Sequence, residues 1–283
     1  MKRTLIALLV ASAGLLWMAS TGRARPDVTF TDDFGTNSAW LRWGPEWGSR
    51  GWYCPFDPSY SLLADPTPVP GMSGAVARIG YDSMYEAEAL RPLPEGATNL
   101  AAFKLVELEI TLCMTNDAHG GGLFLVRNAY FVDADWSGSP IKYLNYSSES
   151  TDWFGVRYSW ASYEAGVTVG QPTLVAYTNT VATGTRATCL DINKTYRCRV
   201  SFDFLRNRMK LEQKVFDSVG SIWGDWTTAV DWVSAGCDLR AMGLNAMMIR
   251  SFNVTPHATY NTYMDDFSFR AVTLPSGTIF SVY

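Results

Sequence analysis

Two glutamates stand two residues apart in the segment FKLVELEITL, in which apolar and polar residues alternate. Alternation with a period of two is typical of a strand with one buried face. Glu107 and Glu109 are therefore predicted to share the face opposite Val106 and Leu108. Such a pair can hydrolyse a glycosidic bond, because one carboxyl group protonates the leaving oxygen while the other attacks or activates water. No third acid follows before Asp117, so we favour the interpretation that both are solvated strand acids.

Other catalytic patterns are weaker. Neither His119, in the glycine-rich turn DAHGGG, nor His257, in VTPHATY, has an obvious acidic partner, and the chain lacks the GxSxG motif of serine hydrolases. A polysaccharide lyase would need a tyrosine or histidine base beside a neutralising arginine or glutamine. The segment WFGVRYSW offers Arg157 and Tyr158 for that chemistry. A lyase therefore stays an alternative rather than the favoured interpretation.

Aromatic residues suggest a binding role. The chain has 14 Phe, 14 Tyr and 11 Trp, and the apolar C–H faces of sugars stack on tryptophan and tyrosine rings. In WFGVRYSWAS, alternation separates Trp153 and Arg157 from a more apolar set that begins at Phe154. With Trp136 and Tyr143 upstream, Trp153 and Arg157 are predicted to form an exposed glycan-binding face.

Charge and the N-terminal segment limit the partners and the compartment. The net charge is −4, whereas binding nucleic acid needs clustered positive charge, so nucleic acid is not an expected partner. Residues 1–24 have the pattern of a signal peptide, in which Lys2 and Arg3 precede an apolar stretch from Leu5 to Met18. We expect residues 25–283 to form one exported domain, secreted, periplasmic or on the cell surface, with no membrane partner after cleavage.

Five cysteines in an exported chain allow up to two disulfides. Cys189 and Cys198 flank LDINKTYR, which reads as a turn that enters a strand. A disulfide between these two cysteines is the pair that we predict. The sequence does not pair the other three cysteines, and the absence of CxxC spacing argues against a zinc site.

Alternation recurs along most of the chain and predicts ten to fourteen strands. The fold class is therefore all-β, a two-sheet antiparallel sandwich of jelly-roll type. The one helix predicted is a short segment at 227–234. Trp223, Trp226 and Trp232 lie close to it and are interpreted as packing at an end of the sandwich.

Three segments resemble a known superfamily. VTFTDDFGTNSAWLRW, from Val28, and TYNTYMDDFSFRAV, from Thr259, resemble the first and last strands of the concanavalin A-like (laminin G-like) jelly rolls found in bacterial secreted proteins. Between them, INKTYRCRVSFDFLRNRMKLEQKVFD looks like the central hairpin of that fold. The resemblance implies a fold more than a function.

The resemblance also implies a structural Ca²⁺ that ties the first strand to the last. The matching positions are Asp265 in the closing strand and Asp32 or Asp33 in the opening one. Calcium takes about six to eight oxygen ligands, so backbone carbonyls and water would have to complete the set. The alternative is that these aspartates end strands, cap turns and stay solvated.

Three functions therefore remain open. The favoured one is a non-catalytic, lectin-like glycan-binding or surface protein, in which a polysaccharide stacks on Trp153 with polar contacts from Arg157. The second is an extracellular glycoside hydrolase or polysaccharide lyase, with Glu107 and Glu109 as the candidate acids. The third is a purely structural protein.

Overall fold

The computed structural model describes residues 26–34, 63–65, 68–74, 76–79, 87–114, 119–127, 153–158, 172–178, 181–186, 190–191, 193–253 and 262–273. The predicted signal peptide (1–24), Trp136, Tyr143 and Cys189 lie outside them. The strands are β1 (Val28–Asp32), β2 (Leu63–Asp65), β3 (Val76–Ile79), β4 (Ala87–Pro92), β5 (Phe103–Met114), β6 (His119–Arg127), β7 (Trp153–Tyr158), β8 (Pro172–Thr178), β9 (Val181–Arg186), β10 (Thr195–Asp203), β11 (Arg208–Asp217), β12 (Ile222–Trp223), β13 (Thr227–Ser234), β14 (Leu244–Asn253) and β15 (Thr262–Thr273).

These strands form two antiparallel sheets, as predicted. The nine-stranded sheet has the order β12-β11-β10-β5-β15-β3-β2, with β1 paired to β15 and β13 paired to β11. The six-stranded sheet has the order β4-β14-β6-β7-β8-β9. Within the described ranges, the helical content is one 3₁₀ turn at Leu100–Ala102, and no helix there is long and apolar enough to cross a membrane.

The core lies between the sheets and follows from the alternation of apolar residues. Leu108 of β5, Val200 of β10 and Phe269 of β15 point inward from the nine-stranded sheet. Leu125 of β6 and Val156 of β7 meet them from the six-stranded sheet. All five side chains are fully buried and belong to one continuous cluster. The polar residues between them on β5 and β10 are therefore left on the outer face of the nine-stranded sheet.

The six-stranded sheet is buried on its second face as well. Phe124, Trp153 and Met248 lie on the side away from the main core, and each is buried. Trp153 packs edge-on against Phe124, with ring centroids 4.7 Å apart. Sheets covered on both faces have strands that read as continuous apolar runs, and LFLV in β6 is such a run.

The segment predicted to be a short helix, Thr227–Ser234, is strand β13, so that prediction is wrong. Two register shifts between β11 and β13 interrupt the pairing near Leu211. A β-bulge breaks the period-two pattern because two residues of one strand oppose one of the other. β-branched residues such as Thr228 and Val230 favour a strand, and Val230 is buried opposite Leu211.

Asp203 fixes the turn between β10 and β11. Its Oδ1 accepts hydrogen bonds from the backbone N–H groups of Leu205 and Arg206, each at 3.1 Å. Its Oδ2 accepts from Arg208 Nε at 3.0 Å and from Arg206 Nη1 at 3.3 Å. Asn207 completes the turn in the left-handed conformation, with φ of 50°, which asparagine tolerates better than most residues. Burial opposes ionisation of Asp203, but these hydrogen bonds outweigh it and lower the pKa of the carboxyl group.

We expect Asp203→Asn to lower the free energy of unfolding at pH 7 by about 1 kcal/mol, because the amide loses both arginine ion pairs. A lowered folded-state pKa stabilises the fold above the ordinary carboxyl pKa of about 3.9 and stops doing so as the pH falls through the folded value. The difference in the free energy of unfolding between wild type and variant should therefore shrink as the pH falls below the ordinary carboxyl pKa, as urea unfolding would measure. Asp217→Asn, which alters an exposed turn aspartate, is the control. If the difference in the free energy of unfolding does not change as the pH falls, the Asp203 carboxylate does not stabilise the turn as described.

Candidate functional site

The outer face of the nine-stranded sheet holds a network of charged side chains. Glu109 lies between two arginines of the neighbouring strand, with its Oε2 3.1 Å from Arg197 Nε and its Oε1 2.6 Å from Arg199 Nε. Glu107, on the same face, accepts a hydrogen bond from Arg270 Nη1 at 3.1 Å. The prediction that Glu107 and Glu109 share one strand face is thus confirmed.

The surroundings of the two glutamates favour a structural role over a catalytic one. Each carboxylate is held by arginine, and the residues opposite Glu107 on its two neighbouring strands are Ser201 and Arg270. In a glycosidase the two carboxyl groups must face the scissile bond from opposite sides. Here both serve as cross-strand partners for cations, which stabilises strand pairing.

Tryptophans lie beside this network at the β11 edge. The Arg199 guanidinium carbon is 4.1 Å from the centroid of the Trp226 ring. The Lys214 ammonium contacts two rings, 5.2 Å from the centroid of Trp223 and 5.0 Å from that of Trp226. We call Arg197, Arg199, Lys214, Trp223 and Trp226 the basic tryptophan face. The side chains of Trp223 and Trp226 are partly exposed, so the face is open to solvent.

Lys214 differs electrostatically from the other cations of this face. Arg197 and Arg199 share Glu109, and Lys210 pairs with Glu212, whereas Lys214 forms no ion pair with a described residue and contacts the two tryptophans instead. Burial lowers the pKa of Lys214, and the positive charges of Arg197 and Arg199 lower it further while Glu109 opposes them. A negative group bound here would relieve that repulsion.

Sequence reasoning missed this face, although one signal was available. The alternation in RMKLEQKVFD places Arg208, Lys210, Glu212 and Lys214 on one side of β11. Because Thr227–Ser234 was predicted to be a helix, Trp223 and Trp226 were interpreted as packing at an end of the sandwich and were not placed beside this side of β11. A second stack, Arg208 over Trp232 with 4.6 Å to the centroid, shows the same pairing further along the strand.

The predicted binding residues of β7 lie on the second face of the six-stranded sheet. The alternation separated the two faces correctly, because Phe154 and Val156 are in the core and Trp153 and Arg157 are not. The prediction that Trp153 is exposed is wrong, because its relative solvent exposure is 3% and its ring packs on Phe124. Arg157 is partly buried. A role of either residue in binding stays a prediction.

Asp265, a predicted calcium ligand, is fully buried in β15. Its Oδ2 accepts a hydrogen bond from Ser73 N at 2.9 Å, while its Oδ1 has no hydrogen-bond partner. Thr111 is directly opposite on β5, and its Oγ1 is also buried without a partner. Burial raises the pKa of Asp265 to about 6, with Asp266 and Asp33 adding to the effect. The Oδ1 atom of Asp265 and the hydroxyl group of Thr111, on directly opposite residues, are therefore both buried without a hydrogen-bond partner.

The other predicted calcium ligands fit less well. Asp32 Oδ1 accepts from Phe34 N at 3.1 Å, and its Oδ2 is 3.9 Å from Arg91 Nη1. Asp33 follows Asp32 at the end of β1, close enough to Asp265 to act on its charge. In the part of the chain that the structure describes, no three acidic, histidine or cysteine side chains cluster as a metal site. Asp265 and Thr111 could supply two oxygens, but calcium needs about six to eight.

The predicted disulfide between Cys189 and Cys198 is contradicted at Cys198, whose thiol is free. Alternation along β10 turns Cys198 into the core between the sheets, where it is fully buried. Tyr158 of the opposite sheet lies in the same cluster. Burial raises the pKa of Cys198 to about 12, so the thiol behaves as a small apolar core side chain.

Comparisons by sequence give no match, either to a protein-family profile or to a curated protein. Solved structures do match. The basic winged bean lectin with Tn-antigen has a TM-score of 0.53 and 8% identity and covers 88% of this chain and 99% of its own. The winged bean acidic lectin complexed with methyl-α-D-galactose has a TM-score of 0.53, 12% identity and coverage of 88% and 100%. Lectin UEA-II complexed with galactose has a TM-score of 0.54, 10% identity and the same coverage.

The protein therefore has the concanavalin A-like jelly-roll fold that the strand segments resembled. These three matching structures are lectins. At these identities the likeness concerns the fold. One of the matching lectins, from Griffonia simplicifolia, was solved in a metal-free form.

Proposed function

We propose that this chain is an exported glycan-binding protein without catalytic activity, and that it binds a saccharide on the basic tryptophan face. The observation that carries the proposal is the set of stacks in which Arg199 and Lys214 lie over Trp226 and Lys214 also over Trp223. The lectin neighbours, solved with sugars, support the same class of ligand.

The chemistry of this face suits a sugar. A pyranose ring has an apolar C–H face that packs on indole, while its hydroxyl groups need donors at the rim. Trp223 and Trp226 offer the indoles, and Arg197, Arg199 and Lys214 offer N–H donors around them. The charge network behind them, anchored by Glu109, holds the two arginines in place before a ligand arrives, which reduces the entropy cost of binding.

Two variants test which face binds. The protein should be tested by affinity electrophoresis against neutral and acidic polysaccharides, with release of reducing ends and of unsaturated products followed in parallel. We expect Trp226→Ala to weaken retardation about tenfold or more, since stacked tryptophans are common binding hot spots. Arg157→Ala tests the other face and should leave retardation nearly unchanged.

Each outcome decides between the functions. Loss of binding in Arg157→Ala, with binding intact in Trp226→Ala, would move the site to the six-stranded sheet. Release of sugar products would identify an enzyme. Absence of binding to every polysaccharide would overturn the proposal and leave a structural protein. Circular dichroism of each variant confirms that the fold is intact.

We also propose that calcium binds at Asp265. The support is the buried Oδ1 of Asp265 and, on the residue directly opposite in β5, the buried Oγ1 of Thr111, neither of which has a hydrogen-bond partner. Asp33 would add charge there, whereas Asp32 is already engaged by Arg91. Bound calcium would neutralise the buried carboxylate and tie β15 to the end of β1.

Export remains a proposal that depends on residues 1–24. If they are a signal peptide, expression with the native leader should yield a mature protein that begins near residue 25 outside the cytoplasm. The N-terminal peptide, measured by mass spectrometry, would show the cleavage site. An intact Met1 on a protein recovered from the cytoplasm would contradict export.

A further inference from the structure

We infer that the glycan bound on the basic tryptophan face is acidic, with a carboxylate or sulfate group that pairs with Lys214. The inference rests on the proposed function and specifies its ligand class. Its basis is the position of one lysine that has two tryptophans and two arginines as neighbours and no carboxylate partner among the described residues.

The balance of charge around Lys214 is positive. Arg197 is directly opposite Lys214 in the register of β10 and β11, and Arg199 is opposite Glu212. Glu109 is shared by both arginines, and Glu212 is shared by Lys210 and Arg199. Glu109 and Glu212 are thus used by other cations, and among the described residues no carboxylate forms an ion pair with Lys214.

Both arginines keep donors for a ligand. Each uses its Nε atom on Glu109, and the Nη1 atom of Arg199 is 3.8 Å from Glu212 Oε2, beyond hydrogen-bonding distance. A guanidinium has about five N–H donors, so the terminal nitrogens of Arg197 and Arg199 stay available beside Lys214. Carboxylate and sulfate groups accept several such bonds at once.

A neutral sugar would not need this arrangement. An ammonium beside two other cations raises the free energy of the face unless an anion arrives. The pKa of Lys214 is lowered first by burial and then by the positive charges of Arg197 and Arg199. The chain as a whole is acidic, with a net charge of −4. A local positive face on an acidic protein directs an anionic ligand to one place, because like charges repel it elsewhere.

A matched pair of polymers tests the inference. Polygalacturonate and its fully methyl-esterified form share one backbone and differ in the carboxylate charge. Dextran sulfate and dextran provide the same comparison for sulfate, and poly-glutamate is an anion without sugar. We expect the intact mature protein to bind an acidic polysaccharide at least about tenfold more tightly than its neutral counterpart in isothermal titration, and more weakly as salt rises.

Two lysines of β11 distinguish a specific role of Lys214 in binding from a general effect of positive charge. Lys214→Met should weaken binding of the acidic polymer about tenfold and binding of the neutral polymer by less than about threefold, because the acidic polymer loses an ion pair and the neutral one only a hydrogen-bond donor. Lys214→Arg should restore most of the binding of the acidic polymer. Lys210→Met is the matched control, because Lys210 lies on the same face of β11 but is paired with Glu212. It should change binding of the acidic polymer by less than about threefold.

The outcomes distinguish the two proposals. Equal binding of charged and neutral polymers, abolished by Trp226→Ala, would overturn the acidic ligand and keep the glycan-binding function. No binding to any polysaccharide would overturn both. Binding of poly-glutamate as tight as that of polygalacturonate or dextran sulfate would show a general anion surface and overturn the inference. Preference for the carboxylate or the sulfate polymer identifies the acidic group.

Discussion

Gly155→Ala is expected to abolish cooperative folding or to lower the free energy of unfolding by at least about 3 kcal/mol. Gly155 lies in β7, where it pairs with Phe124 of β6 and Val175 of β8. A Cβ atom at this position would overlap the carbonyl oxygen of Leu123 and lie 2.9 Å from the Cα atom of Phe124. Both obstacles are backbone atoms in the middle of a paired sheet, so they cannot move aside as a flexible side chain can.

Gly224→Ala is the matched control, because its added Cβ would meet one atom, Val215 O, at an ordinary 3.4 Å. We expect its free energy of unfolding to stay within about 0.5 kcal/mol of wild type. Urea unfolding followed by tryptophan fluorescence measures both variants. A stable, cooperative Gly155→Ala protein would mean that β6 and β7 do not pair as described.

Asp265→Asn is expected to raise the free energy of unfolding by about 1 to 3 kcal/mol when divalent cations are removed with a chelator. The reason is that the buried Oδ1 of Asp265 has no hydrogen-bond partner, so the hydrogen bond from Ser73 N to Oδ2 compensates only part of the cost of moving the charge out of water. An amide of the same shape carries no charge, and its oxygen can still accept the Ser73 N–H bond. Thermal unfolding in chelator measures the difference.

With calcium present, the wild-type protein should become more stable than Asp265→Asn. If the ion binds at Asp265, millimolar calcium raises the Tm of the wild-type protein and leaves that of Asp265→Asn unchanged, since binding to the folded state adds stability by mass action. Thr111→Val, which removes the opposite hydroxyl group, should reduce the calcium effect without removing it. A wild-type Tm that does not respond to calcium would contradict the calcium proposal. If Asp265→Asn is less stable than wild type in chelator, the buried Asp265 carboxylate does not destabilise the folded protein as proposed.

The fold could be predicted because the strands of one sheet have different inner and outer faces. In β5 and β10, apolar residues such as Leu108 and Val200 alternate with Glu109 and Arg199. This alternation shows that the segments are strands and which side chains face the core. The resemblance identified the two end segments as the first and last strands, but the pairing of β1 with β15 is seen only in the structure. Local alternation does not specify a partner that is distant in sequence.

The site was harder to predict for physical reasons. Alternation shows which residues share a face, but it does not show whether that face is covered, and Trp153 was placed on the correct side of β7 and yet is buried. The bulged pairing of β13 hid the period that would have identified a strand beside Trp226. The inward direction of Cys198 was readable from the same alternation that gave the strand, and the predicted disulfide disregarded it.

The pairing of β15 also bears on when the chain can fold during synthesis. This strand lies between β5 on one side and β1 and β3 on the other, and it is made after all three. Until β15 leaves the ribosome, β1 lacks its partner and β3 is not joined to β5. Pairings between strands that are distant in sequence also form slowly. A nascent chain with this strand order cannot complete the nine-stranded sheet until β15 has been made. If the protein is exported, that delay keeps it in the unfolded state that a narrow secretion channel accepts.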